Sequence, residues 1–137
     1  MEKAKTIAVN VVVTAIVAII FIWGNTWYRQ WSQFKRGEAA HTRGDSVAAI
    51  AGYEAAIHMY TPGSRLVERS AEKLWGIGEL QEKRGDGELA LVAYRALRSS
   101  FYSTWGLTSP GKWWIARCDA KIARLVKLQE EAGAQKP

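Results

Sequence analysis

The 137-residue sequence predicts an all-α protein, with one N-terminal transmembrane helix followed by two helical hairpins and a closing helix. Three observations carry that fold class. A long stretch near the N-terminus holds no formal charge, a block of residues recurs at a fixed offset, and each copy of the block breaks at Arg-Gly-Asp between stretches of helical apolar spacing. The expected boundaries are 1–28 for the tail and span, 29–131 for the domain and 132–137 for a frayed tail. Within the domain, one hairpin covers about 31–62, the second about 65–110 and the closing helix about 112–131.

Thr6 to Tyr28 is 23 residues without a formal charge, bounded by Lys5 and Arg29. Its apolar heart, Ile7 to Trp23, would span about 26 Å as a helix, close to a hydrocarbon core of about 30 Å. The β-branched residues do not argue for a strand, because a lone strand leaves its backbone unsatisfied in lipid. A cleaved signal peptide is the competing reading, with Lys3 and Lys5 as its basic start. Against it, the run ends in Trp23-Gly24-Asn25-Thr26-Trp27-Tyr28, where a signal peptidase needs small side chains. An uncleaved anchor is therefore expected, with Trp23, Trp27, Tyr28 and Trp31 as an interfacial aromatic belt. Inside the span, Asn10, Thr14 and Ala18 share one face at i, i+4 spacing. Polar and small residues there mark a protein-facing seam, while snorkelling of Asn10 to water is the plain alternative. No proline precedes Pro62, so the span is expected to run on through Trp27, Trp31 and Phe34 into the first domain helix. A hinge at Gly24 is the alternative.

Sidedness is nearly balanced. Arg29, Lys35, Arg36 and Arg43 favour a cytosolic domain by number, whereas Lys3 and Lys5 beside the first turn favour a signal-anchor with its N-terminus inside. The second reading is adopted, which puts the domain in the periplasm of a bacterial cell. The net charge of +6 comes from 19 basic and 13 acidic residues. In Arg65, Glu68, Arg69, Glu72 and Lys73 the signs alternate as on a solvated helix face, so no nucleic-acid partner is expected. The single cysteine, Cys118, excludes an internal disulfide.

At an offset of 41, Phe34, Gly37, Glu38, Arg43, Gly44, Asp45, Ala49, Ile50, Tyr53 and Tyr60 fall on Trp75, Gly78, Glu79, Arg84, Gly85, Asp86, Ala90, Leu91, Tyr94 and Phe101. Each copy reads as a helical hairpin. The glycine takes a left-handed position after the first helix, and the following Asp caps the amides opening the second. Val47, Ile50, Tyr53, Ile57 and Tyr60, then Leu89, Val92, Leu97, Phe101 and Tyr102, have helical spacing. Ala49, Ala56 and Ala90 let the paired helices approach. Thr61-Pro62-Gly63-Ser64 and Thr108-Ser109-Pro110-Gly111 end the two units. In the last helix, Trp114, Cys118, Ile122, Leu125 and Val126 form one apolar stripe.

At these residues the chain resembles the tetratricopeptide repeat (TPR) family. With Gly37 on that family's first-helix glycine, Gly44-Asp45, Ala49, Tyr53 and Ala56 fall on its turn and second-helix signature, with Pro62 near its closing proline. Gly78, Gly85-Asp86, Ala90 and Tyr94 repeat most of this. The resemblance covers Trp31 to about Pro110. It departs in unit length, 41 residues against a usual 34, and in having two units where three or more commonly stack. It implies a TPR-like α-hairpin domain that binds proteins along the face of its first helices. That face would hold Trp31, Phe34, Glu38, His41, Glu72, Trp75, Glu79, Glu82 and Lys83. The lysine and asparagine pattern with which some members grip a C-terminal carboxylate is missing. Phe34 and Trp75 read as internal packing, and Glu38, Glu79 and Glu82 as an acidic groove for a basic or amphipathic segment, or as solvated charges.

A second candidate surface is Arg95 to Trp114, with Arg98, Tyr102, Trp105, Trp113 and Trp114. Aromatic and arginine side chains dominate binding hot spots. At least one of the three tryptophans is expected to touch a partner; the alternative is a satellite core over the last hairpin. No catalytic constellation, metal-ligand spacing, cofactor motif or small-molecule site is present in the sequence. Cys118 with Asp119 and a distant histidine could be drawn as a nucleophile, but Cys118 lies on the apolar stripe. His58, between Ile57 and Met59, reads as a packed or partly exposed histidine. The expected function is therefore a membrane-anchored accessory or assembly subunit of a multi-subunit bacterial membrane complex, of transport, secretion or motor type, bound to integral membrane subunits. The alternative is a free-standing tethered module that captures a soluble client or chaperone.

Overall fold

The computed structural model describes residues 1–61, 63–106 and 108–134. Pro62, read above as a closing proline, and the tail beyond Ala134 lie outside them. The described residues form five helices and no strand: α1 (Glu2–Thr42), α2 (Ser46–His58), α3 (Arg65–Lys83), α4 (Gly87–Ser103) and α5 (Lys112–Ala134).

Helix α1 runs without a break for 41 residues, about 60 Å. It passes straight through Gly24-Asn25, so the hinge alternative does not describe this chain. Its N-terminal part is long and apolar enough to cross a membrane, and none of the most apolar stretch is buried against the rest of the protein. Packing begins at Gln30, followed by Phe34, Gly37 and Ala40, at the three- and four-residue spacing of one helix face.

Gly44 closes α1 with φ 78°, and Gly85 closes α3 with φ 79°. After each, an Asp carboxylate accepts the backbone N–H three residues on, Asp45 from Ala48 and Asp86 from Leu89, both at 3.0 Å. These caps turn the chain into α2 and α4. In the first hairpin the rings of Phe34 and Tyr53 are 5.6 Å apart at 57°; in the second, those of Trp75 and Tyr94 are 5.0 Å apart at 58°. Each tyrosine ring lies against a glycine of the facing helix, Tyr53 on Gly37 and Tyr94 on Gly78, where a Cβ would meet the ring at 2.9 Å and 2.6 Å.

The helices of the first hairpin touch most closely at Gly52, where a Cβ would lie 2.5 Å from the Gly37 nitrogen. At the corresponding place in the second hairpin stands Ala93, fully buried. Helix α2 is the centre of the domain, packed on α1, α3 and α4, with Ala49, Tyr53, Ala56 and Ile57 wholly enclosed. Helix α5 packs on α4 and buries Trp114, Ile115, Cys118 and Leu125. It extends through Ala132–Ala134, where the sequence led us to expect a frayed end.

Candidate functional site

The apolar N-terminal part of α1 offers one shallow groove, lined by Ile7, Asn10, Val11, Thr14, Ala15 and Ala18. The three seam residues thus lie side by side on one face, as their spacing requires. The belt residues Trp23, Trp27, Tyr28 and Trp31 are all exposed. Trp31 does not enter the core; its ring stands 6.2 Å from that of Tyr28, with the Lys35 ammonium 5.8 Å from its centre.

The face formed by α1, α3 and α5 is built from one contact made twice. Arg69 of α3 lies over the Phe34 ring of α1 at 4.8 Å, and Lys73, one turn later, pairs with Glu38 at 2.9 Å. Arg117 of α5 lies over the Trp75 ring of α3 at 4.1 Å, and Lys121, one turn later, pairs with Glu82 at 2.7 Å. Arg124 also pairs with Glu82. Helix α5 therefore meets α3 through the same arginine and lysine chemistry with which α3 meets α1. Each of these glutamates also accepts a tyrosine hydroxyl from its own hairpin, Glu38 from Tyr53 at 2.6 Å and Glu82 from Tyr94.

This corrects the expectation of an open acidic groove. Glu38 and Glu82 are engaged within the protein, and their charges are answered by Lys73, Lys121 and Arg124. The Tyr53 hydrogen bond, then Lys73, holds the Glu38 carboxyl below the ordinary carboxylate range. Burial pushes Glu82 the other way, but the bonds from Lys121 and Tyr94 outweigh it and its carboxyl is also lowered. Both tyrosine hydroxyls are pushed up, first by burial and then by the adjoining carboxylate. Of the remaining candidates on this face, Glu79 is half-buried and His41, Glu72 and Lys83 are exposed. Phe34 and Trp75 are core residues, as their positions suggested.

The third surface is the loop between α4 and α5. Tyr102 and Trp105 have ring centres 4.8 Å apart, and the Trp105 indole N–H donates to the Pro110 carbonyl at 3.1 Å, closing the loop on itself. Arg98 lies over Tyr102 at 4.9 Å and pairs with Asp119 of α5. Trp113 stays 51 % exposed, whereas Trp114 is 2 % exposed and donates its indole N–H to Glu68 of α3 at 3.1 Å. Trp114 is thus removed from the candidate contacts: it lies on the face of α5 that packs inward with Ile115, Cys118 and Leu125, and Trp113 lies off that face. Cys118 is fully enclosed, and burial pushes its thiol up to about 12. A thiol so held is an inert packing group.

One residue that fastens the elements together gave no sequence signal. Gln30 is completely buried where α1 enters the domain. Its amide N–H donates to the Ala56 carbonyl in the last turn of α2 at 2.9 Å, and its oxygen accepts the Ser64 hydroxyl at 2.6 Å. Ser64 also accepts from the Leu66 amide, capping α3. A single side chain thereby ties α1 to the end of α2 and the start of α3.

No family model, curated protein or solved structure matches this chain.

Proposed function

We propose that this protein is a single-pass membrane adaptor with a TPR-like domain, acting as an accessory or assembly subunit of a multi-subunit bacterial inner-membrane complex and holding its domain in the periplasm. The observation that carries this reading is the unbroken helix α1, which is at once the candidate span and the first helix of the first hairpin. A tether for a free-standing module needs only a flexible link. A rigid junction, locked further by Gln30, suits a subunit whose membrane face and water-exposed face must meet neighbours together. The groove at Asn10, Thr14 and Ala18 supplies the in-membrane contact, where polar and small side chains pack against another helix. In the aqueous phase, Glu79 and His41 remain for a protein partner.

Extraction in a gentle detergent, with mass measurement of the intact assembly, tests the proposal. An integral membrane protein should co-purify in fixed stoichiometry, and Asn10→Leu with Thr14→Leu should weaken that association without loss of membrane insertion. A lone monomer from the native membrane, with a soluble client as its only companion, would overturn it in favour of a tethered capture module.

A further inference from the structure

The two ends of the helical domain differ in a way that points to a second contact with the membrane. The hairpins alternate direction, so the α2–α3 and α4–α5 loops lie at the end from which α1 emerges, and the α1–α2 and α3–α4 turns lie at the other. Side-chain contacts tie the near end together. Ser64 at the start of α3 reaches Gln30 of α1, and Glu68 in the first turn of α3 reaches Trp114 in the first turn of α5. Trp23, Gly24 and Trp27 of α1 share a cleft of about 380 Å³ with Thr61, Gly63 and Ser64 of the α2–α3 loop. Gln30 stands only three residues beyond Trp27, a rise of about 4.5 Å, which is within the thickness of one headgroup layer.

Composition follows the same division. The near-end segments, residues 59–65 and 102–113, contain Tyr60, Tyr102, Trp105 and Trp113 with Arg65 and Lys112; the nearest carboxylate, Glu68, is taken up by the Trp114 indole N–H. The far-end segments, residues 42–46, 83–88 and 130–134, contain Asp45, Asp86, Glu88, Glu130 and Glu131, and no aromatic ring. Tyrosine and tryptophan with a basic side chain nearby are the residues that settle at a membrane–water interface, and carboxylates avoid it. Trp113, Trp105 and Tyr102 are each 40 % exposed or more, which is costly in water for rings of this size and favourable against a lipid surface.

We infer that this near end, through Trp105, Trp113 and the α2–α3 loop, rests in the headgroup layer of the bilayer that α1 crosses, with Arg65 and Lys112 facing lipid phosphates. The domain then lies down on the membrane at two loops besides its helical stem. The inference rests on the reading of α1 as a span.

The test uses the full chain reconstituted in vesicles of phosphatidylcholine and phosphatidylglycerol. Spin labels are placed singly on Ser109→Cys at the near end, Lys83→Cys at the far end and Ile16→Cys within α1. Cys118 is enclosed and does not take the label in the folded protein. Collision with a water-soluble nickel chelate should be severalfold weaker at position 109 than at position 83, and Trp105→Ser with Trp113→Ser should erase the difference. If position 16 is shielded but 109 matches 83, the near end is off the bilayer and the inference fails while the span stands. If position 16 itself is open to nickel, the span reading fails. Shielding of 109 that appears only after a co-extracted membrane protein is added assigns the patch to a protein partner and overturns the inference.

Discussion

The Tyr53 hydroxyl donates to the Glu38 carboxylate at 2.6 Å across the first hairpin, and the same carboxylate receives Lys73 from the next helix at 2.9 Å. One oxygen pair thus joins three helices. Glu82 repeats the arrangement with Tyr94, Lys121 and Arg124. These two nodes couple the stacking of successive helices to carboxylate ionisation.

Acid should therefore loosen the stack. Both glutamates have folded-state pKa values lowered from 4.5, so the stability they contribute is fully present above that value and is lost as pH falls through the folded values. The full chain in micelles, followed by near-UV circular dichroism during denaturant unfolding, should hold a steady midpoint above about pH 5 and lose it below about pH 4.5. Glu38→Gln with Glu82→Gln should lower the midpoint at neutral pH and flatten its fall in acid. An unchanged slope in that double variant contradicts the assignment. Tyr53→Phe should cost about 1.5–3 kcal/mol, the typical net worth of a hydrogen bond to a charged group.

How much of this was legible in the chain differs by residue. The turns and caps were, because Gly44-Asp45 and Gly85-Asp86 act within a few residues of themselves. Phe34 and Trp75 were legible as packing because helical spacing fixes which face they occupy. The stripe of Trp114, Cys118, Ile122 and Leu125 already placed Trp114 inside, although its aromatic neighbours made it also a surface candidate. The glutamate nodes were not legible. At the offset of 41, Glu38 falls on Glu79, yet the acceptor for Tyr94 is Glu82, one turn further along. Which turn a hydroxyl reaches depends on how two helices cross, and here also on Lys121 and Arg124, which the fold brings in from α5. Gln30 was invisible for the same reason, since its partners lie 26 and 34 residues away.

Two glycines should respond oppositely to alanine. In Gly52→Ala the new methyl would meet the Gly37 backbone at 2.5 Å, with neither chain able to yield without parting the hairpin. A loss of about 1–3 kcal/mol is expected from such overpacking. Gly76 is helical, exposed and has nothing within 4 Å of its Cβ position, so Gly76→Ala should gain up to about 1 kcal/mol from helix propensity alone. Thermal midpoints of the two variants in micelles check both signs together. A stabilising Gly52→Ala would show that the hairpin contact is looser than described.

Gln30→Leu keeps the bulk of the side chain and removes its polar ends. The Ala56 carbonyl and the Ser64 hydroxyl would each lose a partner at a buried site, a penalty of about 1–3 kcal/mol. Hydrogen exchange should reveal the loss locally, with amides at the end of α2 and the start of α3 exchanging faster while those of α5 keep their protection. Uniform protection throughout would mean that Gln30 does not fasten this junction.

The continuity of α1 through Gly24 has a further consequence, which concerns rotation. In an unbroken α-helix each residue turns the chain by about 100° and advances it about 1.5 Å. The compass direction of the Asn10–Thr14 face is therefore geared to that of Phe34 and Gly37. Adding one residue between Trp23 and Trp27 would swing the whole domain by more than a quarter circle, and adding seven would return it to within about 20° of where it began, about 10 Å higher. A neighbour that grips both halves of this chain reads that dial, and a single inserted residue should break its fit.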